Sequence, residues 1–242
     1  MPVANCRNSG HLVAKAGIIP VNPASGVKVK GASAVSKAGG AFTPEEMQRI
    51  LAADPADRLD TLWATLAMTG LRPGEALALW WDDFDPQART LQVRRALTEG
   101  PDGPCFGPCK ALSSRVIPLS PALVARLQQH RRQQLEKRLE LGPRWVDDRL
   151  IFSTEIGSLL DRHNVASRFR ARCRKAGVPA RRLYDLRHSV GTALIASGVD
   201  AKTTSELLGH RNVLTTMVHY VHPRSEDHRR AVGKLPWAGA GA

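Results

Sequence analysis

The residues with the most chemical content lie far apart in the chain and in a suggestive order. Tyr220, one of only two tyrosines, sits in the run LLGHRNVLTTMVHYVHP (Leu207–Pro223), ten residues after His210. Upstream are TGLRPGEAL (Thr69–Leu77), centred on Arg72, and LYDLRHS (Leu183–Ser189), centred on Arg187. Lys110 follows a Gly/Pro-rich turn, GPDGPCFGPCK. Cleaving a phosphodiester without a metal ion requires three things. Charge on the non-bridging oxygens must be neutralised, a nucleophile must be placed in line, and a proton must reach the leaving oxygen. Arginine suits the first task because its planar fork donates parallel hydrogen bonds and keeps its charge. Tyrosine can be the nucleophile, and a lysine on a hairpin loop can deliver the proton.

Each of these residues also has an ordinary role open to it. Arg72 lies in a Gly-flanked turn that opens a helix, where backbone N–H groups and the helix dipole also favour an anion. Glu75, three residues on, can reach back to the turn or orient Arg72. Taken alone, RPGE is a helix start with a surface arginine. In the second segment Leu186, Val190 and Leu194 define an inward face, while Tyr184 and Arg187 share another. Asp185 there can cap the helix or pair with an arginine. Lys110 alone reads as a solvated loop lysine, and His210 as the end of one helix and entry to the next. Tyr220 alone reads as a ring that anchors a helix to the core. Their combination and order carry the functional reading.

The elements that must position these groups follow from local pattern. Thr43-Pro44-Glu45-Glu46 is a capping box with proline at the first helical position, and Met47, Ile50 and Leu51 form an apolar stripe behind it. A second helix is expected at about 57–68, burying Leu59, Leu62, Trp63 and Leu66, and a short one at about 73–80. Strand signals occupy Arg89–Leu97 and Ser114–Leu119, joined by the Gly/Pro-rich segment as a long hairpin loop. Pro121 opens a helix to about Leu141 with Leu123, Leu127 and Leu135 inward. Leu150–Phe152 is a short strand candidate, and helices follow near 163–176, 184–197, 200–208 and 212–220. The fold class is α+β, mainly α-helical with a small antiparallel β-sheet. Residues 1–40 carry five Lys/Arg and no acid, and read as a basic leader or linker. Residues 41–223 form the main domain, and residues 224–242, ending in Ala-Gly-Ala-Gly-Ala, read as a frayed tail.

Composition narrows the partner. The chain has 242 residues, 43% of them hydrophobic, so it can bury a sizeable core, and its formal charge is +13. That balance favours a polyanion, most often nucleic acid. The segment 162–187 concentrates the charge, with nine Lys/Arg against the single acid Asp185. Val165, Phe169 and Cys173 mark the inner face of its helix. Arg168, Arg172 and Lys175 mark a solvent-facing ridge suited to phosphates, with Arg181 and Arg182 following. Cys6, Cys105, Cys109 and Cys173 make no disulfide framework, and Cys105-x3-Cys109 offers half a zinc site whose other ligands the sequence does not supply. No metal and no cofactor are expected. No run approaches the ~18 apolar residues of a membrane span, and no membrane partner is expected. A cytoplasmic, nucleoid-associated protein fits these features.

Taken together and in order, the segments resemble the catalytic domain of tyrosine recombinases, the phage-integrase family, over about Thr43–Pro223. TGLRPGEAL is similar to the family's first arginine box, which implies that Arg72 is its arginine and Glu75 its acid. Lys110 with SRVIPL is similar to the β-hairpin lysine segment. LYDLRHS is similar to the second box, with Arg187 as its arginine, and LLGH and TTMVHYVH supply His210 and the nucleophile, Tyr220. The resemblance implies double-stranded DNA as partner and a 3′-phosphotyrosyl intermediate. It also implies a homotetramer on paired DNA sites, and integration or a related rearrangement of a mobile element as outcome. Two departures stand out. The position three residues before Arg187, usually histidine in the family, is Tyr184. The N-terminal core-binding domain usual in the family is represented at most by residues 11–30. A catalytically impaired DNA-binding remnant is therefore the rival expectation. A supercoil-relaxing tyrosine enzyme, of the type IB topoisomerase kind, fits the short chain and the spacing less well.

Overall fold

A computed structural model describes residues 40–100, 103–108, 114–147, 149–210 and 212–220. Lys110, Cys6 and Cys109, the leader and the tail lie outside the described residues. The chain enters helix α1 (Pro44–Ala52) through the expected capping box, with Glu46 N–H donating to Thr43 Oγ1 at 3.2 Å and Thr43 N–H donating to Glu46 Oε2 at 2.9 Å. Helix α2 (Asp60–Thr69) is buried nearly all round and ends at Gly70, whose φ of +64° is a left-handed turn that glycine adopts without penalty. The very short α3 (Pro73–Ala76) follows at once.

Three strands, β1 (Phe84–Asp85), β2 (Thr90–Val93) and β5 (Arg115–Pro118), form an antiparallel sheet in the order β1-β2-β5. Its register pairs Leu91 with Ile117 and Val93 with Arg115. The segment expected to be a long loop instead contains a hairpin of its own, β3 (Arg95–Gly100) against β4 (Gly103–Pro108). Its root is fixed by Arg95, whose guanidinium lies 3.6 Å from the Trp80 ring centroid and 2.7 Å from the buried Asp83 carboxylate. Gly74 lets α3 press on this hairpin, since a Cβ there would stand 2.8 Å from the Leu97 carbonyl oxygen.

Helix α4 (Pro121–Leu141) is capped by Ser120, and α5 (Arg162–Lys175) by Asp161. Helices α6 (Asp185–Ala196), α7 (Ala201–Leu208) and α8 (Val213–Tyr220) close the chain. The core centres on Trp63 and Phe169, with ring centroids 5.5 Å apart, and Phe42 meets Phe169 edge-on. Burying a side chain of this kind contributes about 1.5–3 kcal/mol. The class is α+β and mainly helical, as the periodicities imply.

Several boundaries move. Helix α2 starts at Asp60 because Asp57 is used in the preceding turn, accepting from Leu59 N–H and Trp63 Nε1–H. Helix α3 stops at Ala76. Leu150 makes only an isolated bridge to Trp80. Leu135, expected inward, is exposed because the C-terminal half of α4 extends beyond the core, where Leu139 is exposed too. Among the described residues no helix is long and apolar enough to cross a membrane. No group of three or more His, Cys, Asp or Glu that could hold a metal ion occurs among them either.

Candidate active site

The site forms where four segments converge: the α2–α3 turn, β5, the start of α6, and the α7–α8 connection. Arg72 caps α3, and Glu75 reaches back to it twice, accepting from Arg72 N–H at 3.0 Å and from Arg72 Nη1 at 2.7 Å. Arg72 Nη2 then donates to the Gly209 carbonyl at 2.9 Å, which draws the end of α7 onto the first arginine segment. That carbonyl belongs to a helix C-terminus, where partial negative charge favours a cation.

Glu75 is buried and serves a second arginine. Arg115 Nη2 donates to Glu75 Oε2 at 2.9 Å, and Arg115 Nε donates to the Leu207 carbonyl at 2.9 Å. Burial would push the Glu75 carboxyl up, but hydrogen bonding and charge from Arg115, together with the bonds to Arg72, hold it below its ordinary value. Sequence reasoning placed Arg115 in a strand and gave it no role. A signal was present, since Arg115 lies two residues before the buried Ile117 and so shares its face of β5.

Arg187 is 1% exposed. Its Nη1 donates to the Gly70 carbonyl at 2.8 Å, while Nε and Nη2 find no partner among the described residues. Burial, and then the Arg72 charge, push its guanidinium down to about 10, so it stays charged at neutral pH. An unsatisfied buried donor costs about 1–3 kcal/mol, and more when charged. The cluster holds three guanidinium groups, Arg72, Arg115 and Arg187, around the carboxylate of Glu75. That surplus of positive charge suits an anion.

Tyr220 ends α8 and is 8% exposed. Its ring lies parallel to His210, with centroids 6.1 Å apart, and tilted against His188 at 5.1 Å. Burial raises its phenol above the ordinary value, while the charges of Arg187 and Arg72 act to lower it. His210 is held through Nδ1, 2.7 Å from Thr216 Oγ1, and its backbone N–H donates to the Ser205 carbonyl. Which ring nitrogen carries the proton depends on the tautomer. Tyr184 is half exposed at the start of α6.

The structure thus brings Arg72, Glu75, Arg187, His210 and Tyr220 together, with Tyr184 at the margin. Asp185 serves its own helix start, accepting from Arg182 N–H at 2.9 Å and lying 3.5 Å from Arg182 Nη2. Lys110 lies outside the described residues. Among the expected DNA-facing residues Arg168 is exposed, and Lys175 is exposed with an ion pair to Asp54. Arg182 is exposed as well.

Two corrections apply. Arg172 is buried, not on a solvent ridge. It donates to the Ile50, Leu51 and Asp54 carbonyls and pairs with Asp57 and Asp60, so it caps the C-terminus of α1. Arg181 is turned inward onto Glu46 and the Ala41 carbonyl, with its guanidinium 4.6 Å from the Phe42 ring centroid.

A mainly helical α+β domain with box arginines, an acid and a late helix-borne tyrosine at one site defines the class: a tyrosine-recombinase catalytic domain. The chain belongs to the phage integrase family, whose model matches residues 41–227. It is 33% identical over 207 residues to a XerC-like tyrosine recombinase of Caldanaerobacter subterraneus subsp. tengcongensis, covering 80% of this chain and 53% of that one. It is 32% identical over 199 residues to the ICEBs1 integrase of Bacillus subtilis, with the same coverage. The chain therefore spans about half the length of these curated relatives. Its fold is similar to that of the Tn1549 transposon integrase in complex with a circular intermediate DNA, with a TM-score of 0.74 and 19% identity, covering 95% of this chain and 76% of that one.

Proposed function

We propose that residues 41–223 cleave and rejoin double-stranded DNA through a 3′-phosphotyrosyl intermediate, as the catalytic domain of a site-specific integrase. The observation that carries this reading is the guanidinium of Arg187, buried and charged beside Arg72 and Tyr220, with two donors that find no partner among the described residues. Such a group is tolerated where a ligand completes it, and a phosphodiester supplies the matching oxygens. Arg72, Arg187 and His210 hold the non-bridging oxygens. The Tyr220 phenolic oxygen attacks phosphorus as the bond to the 5′ oxygen breaks. The phenol, raised by burial, passes its proton to a non-bridging oxygen of the phosphate as it attacks, and Lys110 delivers one to the leaving oxygen. The new ester conserves the bond energy, so a second 5′-hydroxyl can reverse the step without ATP. Strand exchange then takes four copies on two DNA sites. Arg168, Lys175 and Arg182 supply phosphate contacts on the exposed face.

A nicked suicide duplex, built from attachment-site candidates flanking the gene, tests this. Wild type should form a covalent protein–DNA adduct that Tyr220→Phe does not. One observation favours a second reading, a DNA-binding remnant: Tyr184 stands where the family usually has histidine. Binding without an adduct, on a site that a catalytically active relative cleaves, would establish that reading. An adduct whose yield rises in Tyr184→His would place the deficit at that one position.

A further inference from the structure

We propose that Arg115 is a positioning residue that locks Arg72 and the His210-bearing end of α7 into one unit; the inference rests on the reading of the site as a phosphodiester-cleaving centre. Arg115 comes from β5, a different element from either group it serves. Its fork closes on Glu75 with Nη2–Oε2 at 2.9 Å and Nη1–Oε1 at 3.4 Å, and Glu75 in turn holds Arg72 Nη1 at 2.7 Å. Its Nε donates to the Leu207 carbonyl, two residues before the Gly209 carbonyl that accepts from Arg72 Nη2. The connections form a closed loop: Arg115 to Glu75, Glu75 to Arg72, Arg72 to Gly209, and back along α7 to Leu207 and Arg115.

The packing is specific for this arrangement. The Arg115 side chain is 10% exposed and that of Glu75 2%. At Gly209, φ is +66°, and a Cβ would stand 2.6 Å from Arg115 Nη1 and 2.9 Å from its Cζ. The turn that carries His210 is therefore shaped around the Arg115 guanidinium. Without Arg115, Glu75 would keep one cation and lose its tie to the sheet. Arg72 and His210, which reach the same phosphate from different segments, would then move independently. A misplacement of about 1 Å at a reacting centre costs about 100-fold in rate.

Three measurements test the proposal on Arg115→Gln and Arg115→Lys. The first is made on the ligand-free protein. The Arg72 side-chain N–H resonances, assigned by their loss in Arg72→Lys, should be protected from solvent exchange in wild type. That protection should fall at least about 10-fold in Arg115→Gln and partly return in Arg115→Lys. Unchanged protection in Arg115→Gln overturns the inference whatever the activity of the protein. The second is single-turnover cleavage of the suicide duplex at saturating protein. Arg115→Gln should slow it about 100-fold while the DNA dissociation constant changes less than about 3-fold.

The third repeats the cleavage with a methylphosphonate at the scissile position, where one non-bridging oxygen charge is absent. The penalty of Arg115→Gln should then shrink at least about 10-fold, because the neutral linkage asks less of Arg72. An equal penalty on both linkages, tracking a lowered melting temperature, would mark a purely structural arginine and overturn the inference. If exchange protection is lost in Arg115→Gln but wild type makes no adduct on any site, the positioning stands and the proposed activity fails.

Discussion

The ring of Tyr220 packs against Gly191 so closely that a Cβ at residue 191 would stand 2.6 Å from Tyr220 Cζ. Gly191 is buried in helix α6, four residues after Arg187, so the helix that carries Arg187 also provides the floor under the Tyr220 ring.

Gly191→Ala sets two effects against each other. In a helix interior alanine is favoured over glycine by about 1 kcal/mol. Here the methyl must displace an aromatic ring end-on. The expected outcome is an adduct yield reduced about 100-fold or more, with no gain in stability. In a Tyr220→Ala background the same substitution should stabilise by about 1 kcal/mol, measured by urea unfolding. Near-normal cleavage in the single variant would show that the ring does not rest on that helix.

Arg172 and Arg168 are one turn apart on α5 and should behave oppositely. Arg172→Ala leaves the Asp57 carboxylate and three carbonyls without their arginine, and Asp60 with Arg126 alone, which should cost about 3–5 kcal/mol of folding stability. Arg168→Ala should leave the melting temperature within about 2 °C and reduce the slope of log K against log salt by about 1. Equal melting temperatures for the two variants would contradict the placement of Arg172.

The buried charge of Arg187 should trade stability for ligand binding. Arg187→Met removes a desolvated cation and two donors that have no partner among the described residues, so it should unfold at the same denaturant concentration as wild type or a higher one, while forming no adduct. Inorganic phosphate should raise the wild-type melting temperature, because a ligand that binds only the folded state stabilises it by mass action. That increment should be absent in Arg187→Met. An undiminished phosphate response in the variant would remove Arg187 from the anion site.

Glu75 predicts the acid limb of the stability curve. Its carboxyl is held below its ordinary value in the folded protein, so the unfolded chain binds the proton more tightly. The stability this contributes is fully present above the unfolded value near 4.5 and is lost as pH falls through the folded one. Glu75→Gln should therefore be less stable than wild type at pH 7, with the difference narrowing below about pH 4. A gap constant with pH would mean that the carboxylate charge is not what holds Arg72 and Arg115.

Much of the local structure was legible in the sequence because it is set by neighbours. The Thr43 box fixes the start of α1 through hydrogen bonds within four residues. The spacing of Val165, Phe169 and Cys173 correctly picks the buried face of α5. The residues that converge at the candidate site were legible too, since Arg72, Glu75, Arg187, His210 and Tyr220 lie in ordered motifs similar to those of the phage integrase family. Charge hides the fate of Arg172: an arginine suggests solvent, but it lies seven residues after Val165 and three after Phe169, within the apolar arc of α5. An amphipathic pattern records where apolar residues face, and it is silent on whether a cation inside that arc has partners elsewhere in the chain.

Those partners were decided by tertiary structure alone. Arg172 caps a helix 122 residues away in sequence, through the Ile50 carbonyl, and Arg115 meets Glu75 across 40 residues and Leu207 across 92. Such pairs depend on how α1, the β-sheet and the α7–α8 turn dock, which no local periodicity encodes. The same holds for Arg187, whose burial leaves it, among the described residues, the Gly70 carbonyl as partner and two donors without one, an arrangement that only packing could create. The order of the motifs therefore carries the family resemblance, and long-range packing gathers Arg72, Glu75, Arg115, Arg187, His210 and Tyr220 into one positively charged cluster.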